Sequence, residues 1–140
     1  MGIWYYPSPG EILLCDYGTH VVAPEMEKRR PVVIVTPRLR RRNELVGVVP
    51  LSLTAPQHPD NHHCQFQLEK PLPEPFDCPT MWAKADMYSV VSRARLDRFK
   101  AGRSHGQRMY LAGKVSDQQL KEIKAALLCG LGLDSLTIHL

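Results

Sequence analysis

The residues best equipped for chemistry are the cations around one short apolar run. Lys28, Arg29 and Arg30 precede Pro31-Val32-Val33-Ile34-Val35, and Arg38, Arg40, Arg41 and Arg42 follow it. These seven are drawn from 18 Lys+Arg in a chain of net charge +4 and pI near 9.0. A guanidinium can bond two oxygens of a phosphate or carboxylate at once. Cations fixed by buried backbone are therefore an arrangement for an anion, either nucleic acid or an acidic protein. The same excess also fits a solvated basic rim, and charge alone does not choose. His58, His62, His63 and Cys64 raise metal ligation, but the two-pair spacing of a structural zinc site is missing, so no metal is expected there. His20 is either an acid-base group or a surface histidine. Trp82, Tyr88 and Phe66 could stack on bases, worth about 1–3 kcal/mol each; Trp82, beside a central strand, reads as core.

The elements that must hold these groups follow from apolar patterning. Val32 to Val35 is continuous rather than alternating, which predicts a strand covered on both faces, with Pro31 and Pro37 as its limits. Pro7-Ser8-Pro9-Gly10 is a turn leading into a first strand, Glu11 to Tyr17, and residues 18 to 29 form a long loop. Leu45 to Ser52 reads as a central strand with a bulge or bend at Pro50. From residue 53 to 80 prolines dominate, and only His63 to Leu68 alternates like a strand. Met81 to Val91 is one strand or two short ones with a bend; Ser92 to Lys100 suggests a single helical turn; Gln107 to Leu111 suggests a last strand. Ser116-Asp117-Gln118-Gln119 is a capping box, and Leu120, Ile123, Leu127 and Leu131 recur at helical spacing, with Gly130 or Gly132 as the stop.

The 140 residues fit one domain, 1–140, divided into an N-terminal extension at 1–8, the proline-rich insert at 53–80 and a closing helix at 116–131. At 44% hydrophobic and 23% charged residues the composition is that of an ordinary globular protein. The four cysteines lack a C-x-x-C pair, which predicts reduced thiols and a cytoplasmic protein. The start lacks the charged and apolar segments of a signal peptide, and no run is long enough to span a bilayer. Tyr6 occupies the position where a myristoylation signal wants Ser or Thr.

In order along the chain, Pro9-Gly10-Glu11-Ile12 with Asp16, Arg30-Pro31-Val32-Val33-Ile34-Val35, Val48-Val49-Pro50 with Ser52, Ala85-Asp86 leading to Val90, and the closing helix resemble the PemK/MazF-like toxins of type II toxin-antitoxin modules. The resemblance implies a mainly β fold with a C-terminal helix, an SH3-like small barrel that forms a homodimer. It further implies metal-independent cleavage of single-stranded RNA, usually messenger RNA, in a groove at the dimer interface, and neutralisation by an antitoxin whose acidic tail fills that groove. No cofactor is implied. By position, the arginine before the proline is Arg30, the hydroxyl after V-P-x is Ser52, the acidic residue of the first loop is Glu25, and the basic–acidic pair of one branch is Lys84 and Asp86. The branch arginine is replaced by Lys84, which loses the planar fork, and Ser52 stands where threonine is commoner.

Such cleavage uses the neighbouring 2′-hydroxyl as nucleophile and needs a base, a cation at phosphorus and an acid for the leaving oxygen. Arg30 suits the cation and Ser52 a hydrogen bond to a non-bridging oxygen. Glu25 or Asp86 suits the base, and Lys84 a second cation or the acid. Lys28, Arg29, Arg38, Arg40, Arg41 and Arg42 are the expected RNA-binding residues. Against these stand structural roles: Arg30 pairing with Glu25 or Glu27, and Asp86 capping a bend. Two rival readings keep the fold without the cleavage, a module that binds a protein such as DNA gyrase, and a nucleic-acid-binding regulatory barrel.

Overall fold

The structure, a computed structural model, describes residues 2–111 and 113–140. Met1, the first residue of the expected N-terminal extension, and Ala112 lie outside the described residues. The strands are β1 (Glu11–Asp16), β2 (Arg29–Ile34), β3 (Leu45–Ser52), β4 (His63–Gln67), β5 (Thr80–Lys84), β6 (Ser89–Ser92), β7 (Leu96–Asp97), β8 (Phe99–Ser104), β9 (Gln107–Leu111) and β10 (Gly113–Lys114), followed by the helix α1 (Asp117–Gly130). Short 3-10 turns occupy Ala85–Met87, Arg93–Arg95 and Asp134–His139.

Eight strands form one antiparallel sheet in the order β10-β1-β2-β3-β5-β4, with β6 paired to β3 and β7 to β1. Ile12 faces Val33, Val33 faces Val49, and Leu51 faces Ala83. Because side chains alternate along a strand, these residues share one face, where Met81 and Phe66 join them under Ile123 and Ala126 of α1. The opposite face carries Leu13, Cys15, Val32, Ile34, Val46 and Val48 together with Val91, Leu96 and Ile3. β2 is thus buried on both sides, the physical reason for its unbroken apolar run. Fully burying each such side chain is worth about 1.5–3 kcal/mol. The N-terminal extension belongs to this second core, since Ile3 is buried there and Tyr5 and Tyr6 pack against it.

β3 changes partner along one edge: Leu45 to Val48 pair with β6, and Leu51 and Ser52 pair with β5. Pro50, which has no N–H to donate, falls in the gap between the two. The sheet curls but is not closed: β10 and β4 stand at its ends with no ladder between them among the described residues. The anticipated small barrel is therefore open. α1 bridges the seam, where Gln119 Nε2 donates to the Gln67 carbonyl of β4 at 2.8 Å, over a cleft of about 410 Å³ lined by Ile12, Leu72, Gly113 and Gln119. No helix among the described residues is long and apolar enough to cross a membrane.

The capping box is present in full: Gln119 N–H donates to Ser116 Oγ at 3.1 Å and Ser116 N–H to Gln119 Oε1 at 2.9 Å. At the other end Gly132 adopts φ 74°, Gly132 N–H donates to the Cys129 carbonyl at 3.0 Å and Leu133 N–H to the Leu128 carbonyl at 2.8 Å. That is the Schellman stop, and it leaves Leu131 exposed rather than on the apolar face. The helical turn anticipated over Ser92 to Lys100 shrinks to Arg93–Arg95, because Leu96 and Asp97 pair with β1 and Phe99 starts a hairpin with β9.

Gly47 of β3 lies under Thr36, whose hydroxyl accepts its N–H at 2.9 Å, and under the Tyr88 ring. A Cβ there would overlap the Thr36 methyl and approach the Tyr88 ring to 2.9 Å. Gly47→Ala is expected to lower stability by about 1–3 kcal/mol, measured by urea denaturation; an unchanged midpoint would contradict this packing.

Candidate functional site

The ladder between β2 and β3 ends at Val32 opposite Pro50. Arg30 of β2 and Ser52 of β3 each lie two residues beyond that end. Ser52 in turn faces Trp82 on β5, and Lys84, two residues on, faces His63 on β4. Alternation then puts Arg30, Ser52, Trp82, Lys84 and His63 on one face of the sheet, the face away from α1. Arg30, Ser52 and Lys84 therefore stand on one face of three neighbouring strands, β2, β3 and β5.

The Ser52 hydroxyl, in a residue only 8% exposed, is engaged in its own turn. It accepts from Thr54 N–H at 3.1 Å and donates to the Thr54 carbonyl at 3.2 Å. Donation to a phosphate would require release of that carbonyl. Trp82 is only partly buried, on the rim rather than in the core.

Glu25 and Asp86 meet in a cleft of about 440 Å³ between the first loop and the 3-10 turn after β5, with Tyr17, Met26, Tyr88 and Ser89 in its walls. Arg30, Ser52 and Lys84 are not among the lining residues. Glu25 Oε2 accepts the Val22 N–H at 3.3 Å, which closes the loop's own turn. Arg30 Nε donates to the Glu27 carbonyl at 3.3 Å, so its guanidinium is tied to that loop through backbone rather than through a carboxylate. In the cleft wall the Tyr17 and Ser89 hydroxyls are buried without a formed hydrogen bond among the described residues. Burial, with Cys15 beside it, pushes the Tyr17 phenol up; Ser89 is near enough to oppose that shift, though outside bonding geometry.

Asp86 also faces two histidines. His62 Nε2 lies 3.8 Å from Asp86 Oδ2 and His63 Nε2 lies 3.9 Å from Asp86 Oδ1, with side-chain exposures of 29%, 9% and 44% for His62, His63 and Asp86. The two rings stack at 4.2 Å between centroids. One ligand atom from each residue lies within 4.8 Å of the others, close enough to surround a metal ion. The hydrogen bonding of His63 opposes that use. Its Nδ1 accepts the Asp60 N–H at 3.0 Å, so neutral His63 carries its proton on Nε2 and has no lone pair there for a metal. The cluster was hard to read from sequence because the β4–β5 register joins residues about twenty positions apart.

The cations fall into three groups. Arg29 pairs with Asp16 at 3.6 Å, beside Lys28 and Arg30 at one end of β2. Arg38 Nε donates to Asn43 Oδ1 at 2.9 Å among the exposed Arg40, Arg41 and Arg42 past the other end. The third group was missed: the β8–β9 ribbon, whose residues 100–110 are all exposed, carries Lys100, Arg103 and Arg108. Its signal is the absence of any Asp or Glu from Arg98 to Lys114.

Burial first, then His62, holds the His63 imidazole below its ordinary range; Lys84 adds to this, and Asp86 and Asp60 oppose it. Unfolded chains then bind more protons than folded ones, so this contribution to stability is intact above the ordinary histidine pKa of about 6.5 and is lost as pH falls through it towards the lower folded value. Wild type is expected to lose more stability than His63→Gln between about pH 7 and pH 5, measured as denaturation midpoints. Parallel pH curves would contradict the shift.

Residues 8–129 match the profile described as PemK-like, MazF-like toxin of type II toxin-antitoxin system. The YifN protein of Escherichia coli (strain K12) is 30% identical over 143 residues, covering 89% of this chain and 95% of that protein. An uncharacterised protein of Haemophilus influenzae is 36% identical over 101 residues, 64% of this chain and 68% of its own. Among solved structures, an endoribonuclease in complex with its cognate antitoxin from a mycobacterial species superposes with a TM-score of 0.61 at 23% identity, covering 91% of this chain and 96% of that one. MazF from Deinococcus radiodurans does so with a TM-score of 0.59 at 21% identity, over 91% and 98%.

Proposed function

The chain belongs to the PemK-like, MazF-like toxins of type II toxin-antitoxin systems, and from that premise we propose that it is an endoribonuclease that cuts single-stranded RNA, messenger RNA above all, without a metal. The observation that carries the reading is that Arg30, Ser52 and Lys84 stand on one face of the neighbouring strands β2, β3 and β5, which are buried along most of their length. Arg30 neutralises the phosphate as negative charge gathers on it, and its fork holds two non-bridging oxygens. Lys84 supplies the second cation or the leaving-group proton. Glu25 and Asp86, in the neighbouring cleft, stand for the base that takes the 2′-hydroxyl proton. Lys28, Arg29 and the arginines from 38 to 42 hold the strand on either side by phosphate contacts that carry no sequence information.

The proposal extends to assembly. Two copies form a homodimer with the RNA groove between them, and an antitoxin with an acidic, disordered tail competes for that groove. Support comes from the mycobacterial neighbour, described as an endoribonuclease with its cognate antitoxin, and from the basic surface of this chain. One observation favours a non-catalytic module that binds a protein target such as DNA gyrase: the Ser52 hydroxyl is spoken for by Thr54.

Purified protein incubated with long single-stranded RNA in EDTA separates the two. The expected products are discrete fragments ending in 2′,3′-cyclic phosphate, with Arg30→Ala reducing the rate by about 10²–10³-fold, the cost of losing one charge-stabilising donor, at an unchanged melting temperature. Intact RNA alongside inhibited DNA supercoiling would establish the binding module instead.

A further inference from the structure

Asp86 carries two imidazoles that the proposed cleavage chemistry leaves unused. They come from adjacent positions at the start of β4, and the β4–β5 register places His63 directly opposite Lys84, with Cβ atoms about 4.5–5.5 Å apart in such pairs. The Ala85 N–H donates to the His62 carbonyl at 3.1 Å, which ties the His62 backbone to the turn carrying Asp86. Behind them packs the end of α1: a Cβ on Gly130 would lie 3.4 Å from Asp86 Cα and 3.5 Å from His62 Cβ. The carbonyl end of a helix favours positive charge beside it.

The two histidines are not equivalent. His63 is nearly covered, its Nδ1 held by the Asp60 N–H and its Nε2 turned to Asp86, so it positions. His62 is more open, with Nε2 turned to the other carboxylate oxygen, so it can exchange a proton with a substrate. Asp86 lies between them, 3.8 and 3.9 Å from the two Nε2 atoms, close enough to be the counter-charge for an imidazolium.

Resting on the endoribonuclease reading, we propose that His62, in place of Glu25 or Asp86, is the base of this site, with Asp86 as its orienting partner and His63 as the group beside Asp86 on its other side. An imidazole ordinarily titrates near neutrality, where a general base works best, whereas a carboxylate titrates some two units lower. In the step, His62 accepts the proton of the 2′-hydroxyl, the 2′-oxygen bonds to phosphorus, and the bond from phosphorus to the 5′-oxygen breaks. The Lys84 ammonium gives the leaving oxygen its proton. The products are a 2′,3′-cyclic phosphate and a 5′-hydroxyl, and solvent returns the proton from His62 to Lys84.

The test is the pH profile of cleavage of a long single-stranded RNA in EDTA, from about pH 5 to 9, for wild type, His62→Gln and Asp86→Asn. The charged groups facing the pair are Asp60 on the preceding turn, Lys84 on β5 and Asp86 after it, with Glu122 of α1 beside Cys64, and Asp134, which holds Asn61 at 3.0 Å. Wild type should lose activity towards acid with a midpoint in the imidazole range. His62→Gln should lower kcat by about 10²–10⁴-fold with KM unchanged and erase that limb, and added imidazole should restore part of the rate. Asp86→Asn should keep the limb with its midpoint moved to lower pH, which gives a second readout if His62→Gln does not fold. Wild-type kcat and an intact acid limb in His62→Gln, loss of the limb altogether in Asp86→Asn alone, or wild-type cleavage that stops in EDTA and returns with zinc or manganese would each overturn the assignment. Cleavage lost in Arg30→Ala but untouched in His62→Gln would leave the endoribonuclease standing and remove only this assignment. Absence of RNA cleavage by wild type would remove both.

Discussion

Arg30, Ser52 and Lys84 hang from strands packed on both faces or between neighbours in the sheet. β2 packs Val33 against the α1 side and Val32 and Ile34 against the opposite core, while β1 and β3 take its backbone on either edge. A one-residue slip would send Val32 and Ile34 to the wrong core along with Arg30, so hydrophobic burial and the placing of the cation are enforced by the same register. The position of Arg30 follows from that constraint rather than from any interaction Arg30 makes itself. The bond of Arg30 to the Glu27 carbonyl only decides which way the guanidinium leans.

Rigidity and openness divide cleanly across the fold. The row on β2, β3 and β5 is fixed, whereas its chemical partners lie on a loop, a 3-10 turn and the beginning of β4. Under the proposed function, a phosphate would be met by charge held on strands, and the bases by the loop beside it. The β8–β9 ribbon stands outside this division, anchored at its base by Phe99 on Phe76, with centroids 6.1 Å apart, and otherwise in solvent. A lone two-stranded ribbon is marginal in water, so its anchoring matters more than its own ladder, and the Arg98 guanidinium 3.8 Å over the Tyr110 ring helps to hold that base.

Legibility in the sequence followed how local the cause was. The capping box and the strand Leu45 to Ser52 are written in neighbouring residues and recur as expected. So does the bend between Met81 and Val91, which resolves into β5, a 3-10 turn and β6. β8 was hidden because it is exposed on both faces and carries an irregularity between Lys100 and Arg103, so it has no apolar alternation to detect. The open seam could not be foreseen, since closure depends on whether two remote edges meet. At the site, the choice of Arg30 and Ser52 came only through the family resemblance. The occupation of the Ser52 hydroxyl by Thr54 and the approach of His62 and His63 to Asp86 depend on register and turn geometry that one-dimensional spacing does not carry.

The central claim is that the face of the sheet away from α1 is where RNA is held. Backbone amide shifts recorded during titration with a 2′-deoxy oligonucleotide, which lacks the nucleophile and stays intact, test it most directly. The account predicts perturbations at Arg30, Ser52, Lys84, His62 and Asp86 and none along Gln118 to Ala125 of α1. Shifts confined to α1 and the seam cleft around Leu72 and Gln119, with the Arg30 to Lys84 row unmoved, would contradict it.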